Sequence, residues 1–151
     1  MEEKKKRKHK VLIEGPVTPA FIADSIAKHS TKTDIGAHAI FLGQIRKDTK
    51  DGRDVKDIIY SAHVEMAEKA FETIREKAFS KYNMVCMHVY HSLGCIKVGE
   101  ISLFVFVSCK HRSASFDALK EIVEEIKAQV PIWKKESYED GSHTWIGSEN
   151  S

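Results

Sequence analysis

The sequence predicts an α+β fold in which helices flank a mostly antiparallel sheet. In three segments, apolar residues recur at three- and four-residue steps, which is typical of amphipathic helices. Between them lie segments that alternate apolar and polar residues, joined by turn-forming residues compatible with hairpins. One such segment, residues 101–107, ends apolar on both faces, as expected of a central strand that is covered from both sides.

The chain opens with a short predicted strand and a first helix. Residues 11–13 are apolar and precede a glycine–proline turn. Thr18 then stands as a helix cap, with Pro19 at the first helical position, where its missing N–H does no harm. We expect this helix to end near His29.

A hairpin is predicted next. Residues 37–46 form its first strand, whose change from apolar to polar along one face delivers Gln44 and Arg46 to an open edge of the sheet. Gly43 indicates a bulge or the close approach of a ligand or backbone. After a polar turn, the chain returns as a strand over residues 55–63.

The second half of the chain again combines helices with strands. A helix is predicted over residues 64–81, followed by strands over residues 84–91 and 100–109. Beyond the third helix, the polar stretch 138–146 is compatible with a last hairpin or strand. The order β-α-β-β-α-β-β-α, with a possible strand at its end, predicts one compact domain over residues 11–146.

The third helix is the one around which the candidate site is organised. Its predicted apolar stripe consists of Phe116, Leu119, Ile122, Val123, Ile126 and Val130. Ser113 or Ser115 can cap its start. Pro131 disfavours helical geometry in the residue before it, so we expect the helix to end there.

Basic side chains lie at both ends of this helix and on one strand. They are Arg46, His111, Arg112, Lys127, Lys134 and Lys135. Each of them alone is compatible with a solvated surface charge. Together, near a helix start with free backbone N–H groups, they form a candidate site for an anion such as phosphate. A lysine desolvated among other cations can also act as an acid, a base or a nucleophile.

Composition and charge narrow the classes of function. Hydrophobic residues make up 42% and charged residues 30% of the 151 residues, as in ordinary globular proteins. No apolar run is long enough to span a bilayer, and no secretory signal is recognisable at the N-terminus.

The net charge is unevenly distributed along the chain. Residues 1–10 contain six lysine or arginine residues and two glutamates, so the rest of the chain has a net charge of about −2, whereas the whole chain has +2. Residues 1–10 and 147–151 are expected to be tails.

The spacing of potential ligands predicts no metal and no cofactor. His88 and His91 are three apart on a predicted strand, so their side chains point to opposite faces. Cys86, Cys95 and Cys109 form no CxxC pair, and no Cys/His quartet exists. The glycines match no phosphate-binding loop. The odd number of thiols indicates reduced cysteines and a cytoplasmic location.

A series of motifs with specific spacing runs along nearly the whole chain. The motifs are Gly36-Ala37, Phe41, Gly43 and Arg46, Met66-Ala67, His91 with Gly94, Gly99-Glu100, His111-Arg112, and Lys127 with Pro131-Ile132-Trp133-Lys134-Lys135-Glu136 and Gly141 to Trp145. The spacing from the His-Arg pair to Lys127 and on to the Lys-Lys-Glu triplet is the most specific part. In these motifs, the chain resembles the catalytic (large) subunit of molybdopterin synthase.

The resemblance implies a hammerhead-type α+β fold and a heterotetramer, with a central dimer of large subunits and a small ubiquitin-like subunit at each end. It implies sulfur transfer from the thiocarboxylated C-terminal Gly-Gly tail of the small subunit to cyclic pyranopterin monophosphate, giving the dithiolene that later binds molybdenum. Lys127 and Lys134 match the family's catalytic lysines. Its substrate-binding positions are matched by Phe41, Gln44, Ile45, Arg46, His111, Arg112, Lys135 and Glu136.

The chain departs from the family at two places. Ser92 stands where the family usually has arginine, and Ser61 and His63 replace residues of a common Tyr-Glu-Ala-Tyr motif. Neither departure touches the two lysines, so we expect effects on local contacts or rate and not on function. The alternative class of function is a non-catalytic module that binds anions or nucleic acid through residues 1–10 and the two basic clusters.

The length of the third helix predicts that each active site is shared between two copies of the chain. Arg112 and Lys127 lie about 15 residues apart, or roughly 22 Å along a helix axis, which is longer than a pterin with one phosphate. In a two-fold dimer, the end of the helix at His111 would meet the partner's end at Lys134. The alternative is that the His-Arg pair serves only a dimer contact or a helix cap.

Overall fold

The computed structural model describes residues 11–146, and the two expected tails lie outside the described residues. Three helices and eight strands follow one another along this part of the chain. They are β1 (Leu12–Glu14), α1 (Pro19–Ala27), β2 (Ala37–Gln44), β3 (Thr49–Lys50), β4 (Arg53–Ala62), α2 (Val64–Lys81), β5 (Cys86–Lys97), β6 (Ile101–Cys109), α3 (Arg112–Gln129), β7 (Ile132–Tyr138) and β8 (His143–Ile146). Between residues 11 and 146, none of the helices is both long and apolar enough to cross a membrane.

The strands form one sheet with the order β2-β6-β5-β4-β7-β8, to which β1 is added beside β5 and β3 beside β4. All of these pairings are antiparallel except the one between β1 and β5. Strand β6 is buried along its whole length apart from its first residue, as predicted for a central strand. The predicted α+β class, with a mostly antiparallel sheet and flanking helices, is confirmed.

The sheet separates two hydrophobic cores of unequal size. On the α2–α3 face, helix residues such as Phe71 and Ile122 pack against Val105 of β6 in the larger core. On the α1 face, Phe104 and Phe106 of the same strand belong to a smaller core. Alternate side chains of β6 therefore serve opposite faces, as the pleat of a strand requires.

Helix α3 differs from its prediction at its start. His111 occupies the N-cap without a side-chain cap bond, so the predicted serine cap is wrong. The hydroxyl of Ser115 donates instead to the carbonyl of Arg112 at 2.7 Å, within the first turn. Phe116, expected in the buried stripe, is 62% exposed, whereas Ser115 and Ala118 are buried. Small side chains on the inward face let the helix lie close to the sheet. The predicted helix end before Pro131 is confirmed.

Three stretches of the sheet were not predicted, the first being the short strand β3, which lies in the expected polar turn. Strand β5 continues to Lys97, past its predicted end at residue 91, and Gly94 within it has a φ of +92°. Strand β7 is formed by a polar sequence and owes its existence to pairing with β4 on one side and β8 on the other. Because β7 carries the Lys-Lys-Glu triplet, this missed strand fixes the position of part of the candidate site.

Candidate active site

A cavity of about 650 Å³ opens on the α2–α3 face, lined by β2, β4, β7 and the end of α3. Seven of the ten predicted site residues line it, namely Phe41, Gln44, Ile45, Arg46, Lys127, Lys134 and Glu136. The other three, His111, Arg112 and Lys135, do not. The structure therefore brings together residues that are more than 80 positions apart in the sequence.

Two lysines from different elements enter this cavity. Lys127 comes from the last turn of α3, and Lys134 comes from β7, where it pairs with Tyr60 of β4. Both side chains are half-buried, and burial lowers the pKa of each. The charge of Lys127 lowers the pKa of Lys134 further. Desolvation of both groups, together with the charge of Lys127 beside Lys134, thus makes these ammonium groups more ready to give up a proton than a lysine in water.

The alternation of β7 selects which residues of the triplet enter the cavity. Lys134 and Glu136 are two apart and share one face of the strand, whereas Lys135 lies on the other face. The Nζ atom of Lys135 lies 5.4 Å from the ring centroid of Trp145 on β8. The predicted role of Lys135 in substrate binding thus has no support from its position in a single chain.

Glu136 is a buried carboxylate whose charge is compensated. Its Oε1 atom accepts a hydrogen bond from the Nζ of Lys50 at 2.7 Å and another from the hydroxyl of Tyr138 at 3.1 Å. The hydrogen bond to Glu136 raises the pKa of Lys50. Lys50 lines the cavity from β3, and its interaction with Glu136 favours its charged form, whereas burial disfavours the charged form of Lys134. Sequence reasoning missed Lys50 because it lies in a polar stretch typical of a solvent-exposed turn.

His91 and Tyr60 line the cavity and were not predicted as site residues. The Nδ1 of His91 donates to the carbonyl of Ser92 at 2.8 Å, because a carbonyl can only accept. Burial lowers the pKa of His91 to about 4, so the ring is neutral near pH 7 and its Nε2 is an acceptor. The ring of Tyr60 meets it edge to face at 5.0 Å. His91 stood in the family motif, which was the only sequence signal for it.

Arg46 lies at the rim of the cavity. Its Nε and Nη2 atoms donate to the carboxylate of Asp48 at 2.7 and 3.3 Å. The ion pair raises the pKa of Arg46 and lowers that of Asp48. The guanidinium is mostly exposed, so an anionic ligand can reach it from solvent.

An irregularity in the sheet shapes the wall of the cavity beside Phe41. The register between β2 and β6 shifts after Gly43, so that Gly43 lies opposite Leu103 and Gln44 lies opposite Ile101. A Cβ atom at Gly43 would stand 3.3 Å from the Cβ of Leu103 and 3.5 Å from the Phe41 ring. The register shift confirms the predicted bulge, whereas the atoms closest to this Cβ position belong to side chains and not to a ligand or backbone. Immediately after it, Ile45 is buried as part of the larger core.

The His111–Arg112 pair lies at the opposite end of α3 from Lys127. Both side chains are exposed, and neither lines the cavity. Within one chain, the structure does not bring this pair to the two lysines, as the length of the helix predicts.

Comparisons with known proteins give a consistent result. Residues 17–129 match the family model described as MoaE protein. The chain is 41% identical over 125 residues to the molybdopterin synthase catalytic subunit of Pyrococcus abyssi, covering 83% of this chain and 82% of that protein. The catalytic subunit of Aspergillus fumigatus is 35% identical over 118 residues, covering 78% of this chain and 62% of that protein. The crystal structure of molybdopterin synthase from Staphylococcus aureus has a TM-score of 0.79 at 29% identity, covering 90% of this chain and 95% of that chain.

Proposed function

The chain belongs to the MoaE family of molybdopterin synthase catalytic subunits, and from this premise we propose that the cavity on the α2–α3 face is its sulfur-transfer site. The sulfur donor is the thiocarboxylated C-terminus of a small ubiquitin-like subunit, and the acceptor is cyclic pyranopterin monophosphate. The observation that carries the proposal is the pair of half-buried lysines, Lys127 and Lys134, whose pKa values burial lowers. The direct test is to mix the protein with thiocarboxylated partner and cyclic pterin and to assay the dithiolene product.

The cavity offers matching contacts for each part of the pterin. Arg46 and Lys50 keep their positive charge and suit the phosphate. The ring of Phe41 provides an aromatic wall for the flat pterin. Gln44 lines the same side and can hydrogen-bond to the heterocycle. The site thereby combines cations with an aromatic surface, as a phosphorylated pterin requires.

The two lysines suit the proton transfers of the reaction. Sulfur transfer forms a bond from the thiocarboxylate sulfur to a pterin carbon and breaks a carbon–oxygen bond, and the departing oxygen needs a proton. An ammonium with a lowered pKa donates that proton more readily than an ordinary lysine. Water then hydrolyses the resulting thioester, which releases the small subunit as a carboxylate. A second ammonium can stabilise the oxyanion formed in that step.

We expect the C-terminal tail of the small subunit to enter the cavity as an extended segment near Lys134. A Gly-Gly terminus has no side-chain bulk and can thread a narrow channel. Exposed apolar side chains at the cavity, Leu42 and Trp145, offer surface beside its entrance. A partner that lacks its last two glycines should still dock but support no turnover. Normal turnover with that partner would rule out this route.

We further propose that the His111–Arg112 pair completes the active site of a second copy in a dimer. The 18 residues of α3 separate this pair from Lys127, so only a partner copy can bring them together. The test mixes two variants that are inactive alone, His111→Ala/Arg112→Ala and Lys134→Ala. After subunit exchange, random assembly should restore roughly a quarter of wild-type activity. Confirmed exchange without recovery of activity would contradict a shared site.

The alternative function, a nucleic-acid-binding module, depends on residues 1–10. Deletion of these residues should leave dithiolene formation unchanged if the chain is a synthase subunit, whereas a nucleic-acid binder should lose affinity and its dependence on salt.

The proposed location is the cytoplasm, since Cys86, Cys95 and Cys109 are free thiols.

A further inference from the structure

Three side chains that can ligate metal ions meet on the α1 face of the sheet, away from the cavity. His29 follows α1, and Cys86 and His88 lie two residues apart on β5, so they share one face of the strand. The ligand atoms of these three residues all lie within 4.8 Å of one another. His91, three positions beyond His88, faces the cavity instead. Spacing along the sequence could not predict this cluster, because His29 is 59 residues from His88.

The distance between the two histidine nitrogens of the cluster is close to that in a metal site. The Nε2 atoms of His29 and His88 are 3.1 Å apart. Two imidazole nitrogens on a tetrahedral zinc ion, each about 2.0–2.1 Å from the metal, lie roughly 3.3 Å apart. Both nitrogens thus already stand at nearly the separation that a shared ion needs. The sulfur of Cys86 supplies a third donor within reach.

The surroundings of His29 resemble the outer shell of a metal ligand. Its Nδ1 donates to the backbone carbonyl of Ser25 at 2.8 Å, which fixes the tautomer and leaves the Nε2 lone pair directed at the cluster. Burial, and then the neighbouring His29, lower the pKa of His88 to about 4, so that ring is neutral near pH 7. Without an ion, His88 can donate its Nε2 proton to His29.

The sulfur has a cation beside it. The Nζ of Lys32 donates to the Sγ of Cys86 at 3.3 Å. Lys32 is exposed, whereas His29 and Cys86 are 8% and 6% exposed. Two of the three ligands are therefore buried and His88 is partly exposed, and the cluster lies beside a lysine side chain that can turn away into solvent and admit an ion.

We propose that His29, Cys86 and His88 bind one ion of the zinc class through two nitrogens and one sulfur, with a fourth position left for water. The cysteine proton leaves to solvent on binding, and the proton on His88 moves from Nε2 to Nδ1. Two imidazoles and a thiolate suit zinc, cobalt or copper better than magnesium or calcium. Because the ligands come from the segment that follows α1 and from β5, the ion would hold the end of this helix against the sheet.

Cobalt is the probe for the first experiment, because it reports its ligands by colour. The experiment uses the full chain with His9→Gln, so that the imidazole of the N-terminal tail cannot bind Co²⁺. This protein should bind one Co²⁺ and show a thiolate charge-transfer band and visible bands of tetrahedral intensity. Zn²⁺ should abolish these bands by displacement. At free zinc about 100 times its dissociation constant, the ratio of folded to unfolded protein should rise about 100-fold. Octahedral cobalt spectra without a sulfur band would overturn the proposal.

Substitutions then assign the ligands. Cys86→Ser should abolish the charge-transfer band, and His88→Ala should weaken Co²⁺ binding at least tenfold. Cys95→Ser is the matched control, since this cysteine is exposed and outside the cluster, and it should keep the band. A band that survives Cys86→Ser, or that disappears in Cys95→Ser, contradicts the assignment.

X-ray absorption of the zinc-loaded protein, with only His9→Gln, decides the matter even if the cluster variants fail to fold. We expect one sulfur at about 2.3 Å and nitrogen or oxygen ligands at about 2.0–2.1 Å. A zinc coordination shell that contains no sulfur would contradict the proposed site.

Discussion

The two faces of the sheet bury polar groups with opposite requirements. On the α2–α3 face, the cavity contains ammonium groups at Lys127 and Lys134, whose pKa values burial lowers. On the α1 face, the cluster of His29, Cys86 and His88 consists of donors with lone pairs. The first arrangement favours an anion and the second a cation. Strand β5 contributes to both, because His88 and His91 point to opposite faces.

The difference lies in how the charges are compensated. Glu136 is as buried as His29, but Lys50 and Tyr138 satisfy it within the chain. For the two lysines, by contrast, desolvation outweighs the nearby acidic residues in setting the pKa. Burying a charge without full compensation costs stability, and such groups persist where function needs them. We therefore expect the lysines to be the least stabilising and most active cations of the cavity.

Replacement of either lysine by alanine tests this contrast most strongly. Lys134→Ala and Lys127→Ala should each lower the rate of dithiolene formation by roughly ten- to a thousandfold, the scale of losing a positioned proton donor or charge. The melting temperature should change little. Lys120→Ala, an exposed lysine of the same helix α3, is the matched control and should keep its rate. A variant that melts early but retains its rate per folded molecule would show a structural role.

Lys50→Met should lower the free energy of unfolding, because the ion pair between Lys50 and Glu136 is lost. It leaves the buried carboxylate of Glu136 without its ammonium donor, at a cost of about 1–2 kcal/mol, toward the low end for charged hydrogen bonds since Lys50 is 45% exposed. Lys47→Met is the control, because its pair with Asp54 is at 3.8 Å and exposed. Urea unfolding measures both, and equal midpoints for the two variants would contradict the distinction.

Lys127→Met should instead stabilise the fold slightly while reducing activity. Its pKa is lowered in the folded state, so the cost of its charge is fully present below that folded pKa and disappears as the pH rises past the ordinary value of about 10.4. We expect the variant to melt about 2–4 °C higher than the wild type at pH 7. Thermal melts from pH 7 to pH 10.5 should show this advantage shrinking. A constant or growing advantage would assign the effect to packing.

Local sequence patterns predicted the helices well and the site only in part. Helix α3 ends where Pro131 requires, since that signal acts on its own neighbour. Strand β7 escaped prediction because its residues Trp133 to Ser137 lack apolar alternation, and only pairing with distant strands makes them extended. The same holds for Lys50, whose turn is not recognisable as part of a cavity until β4 brings it to Glu136.

The resemblance to a family supplied what the patterns could not. It selected Lys127 and Lys134 from 24 lysine and arginine residues, and the cavity contains both. It gave no signal for the cluster at His29, because no motif of the family covers those ligands. Contacts between residues that are far apart in the chain are set by the packing of the sheet, and a single sequence does not display them.

The irregular register beside Gly43 also determines which deletions in strand β6 the fold can accommodate. Phe104 and Ile101 both belong to the smaller core, although they are three residues apart and a regular strand would put them on opposite sides. Ser102 is the extra residue, and it joins Leu103 at the cavity, where its hydroxyl meets that of Tyr60 at 3.2 Å. Deletion of Ser102 would restore regular alternation and leave Ile101 on the α1 side, with loss of the hydroxyl that meets Tyr60. Deletion of Val105, where the register is regular, would instead move every residue on one side of it to the opposite face. We therefore expect the strand to tolerate loss of Ser102 more readily than loss of Val105.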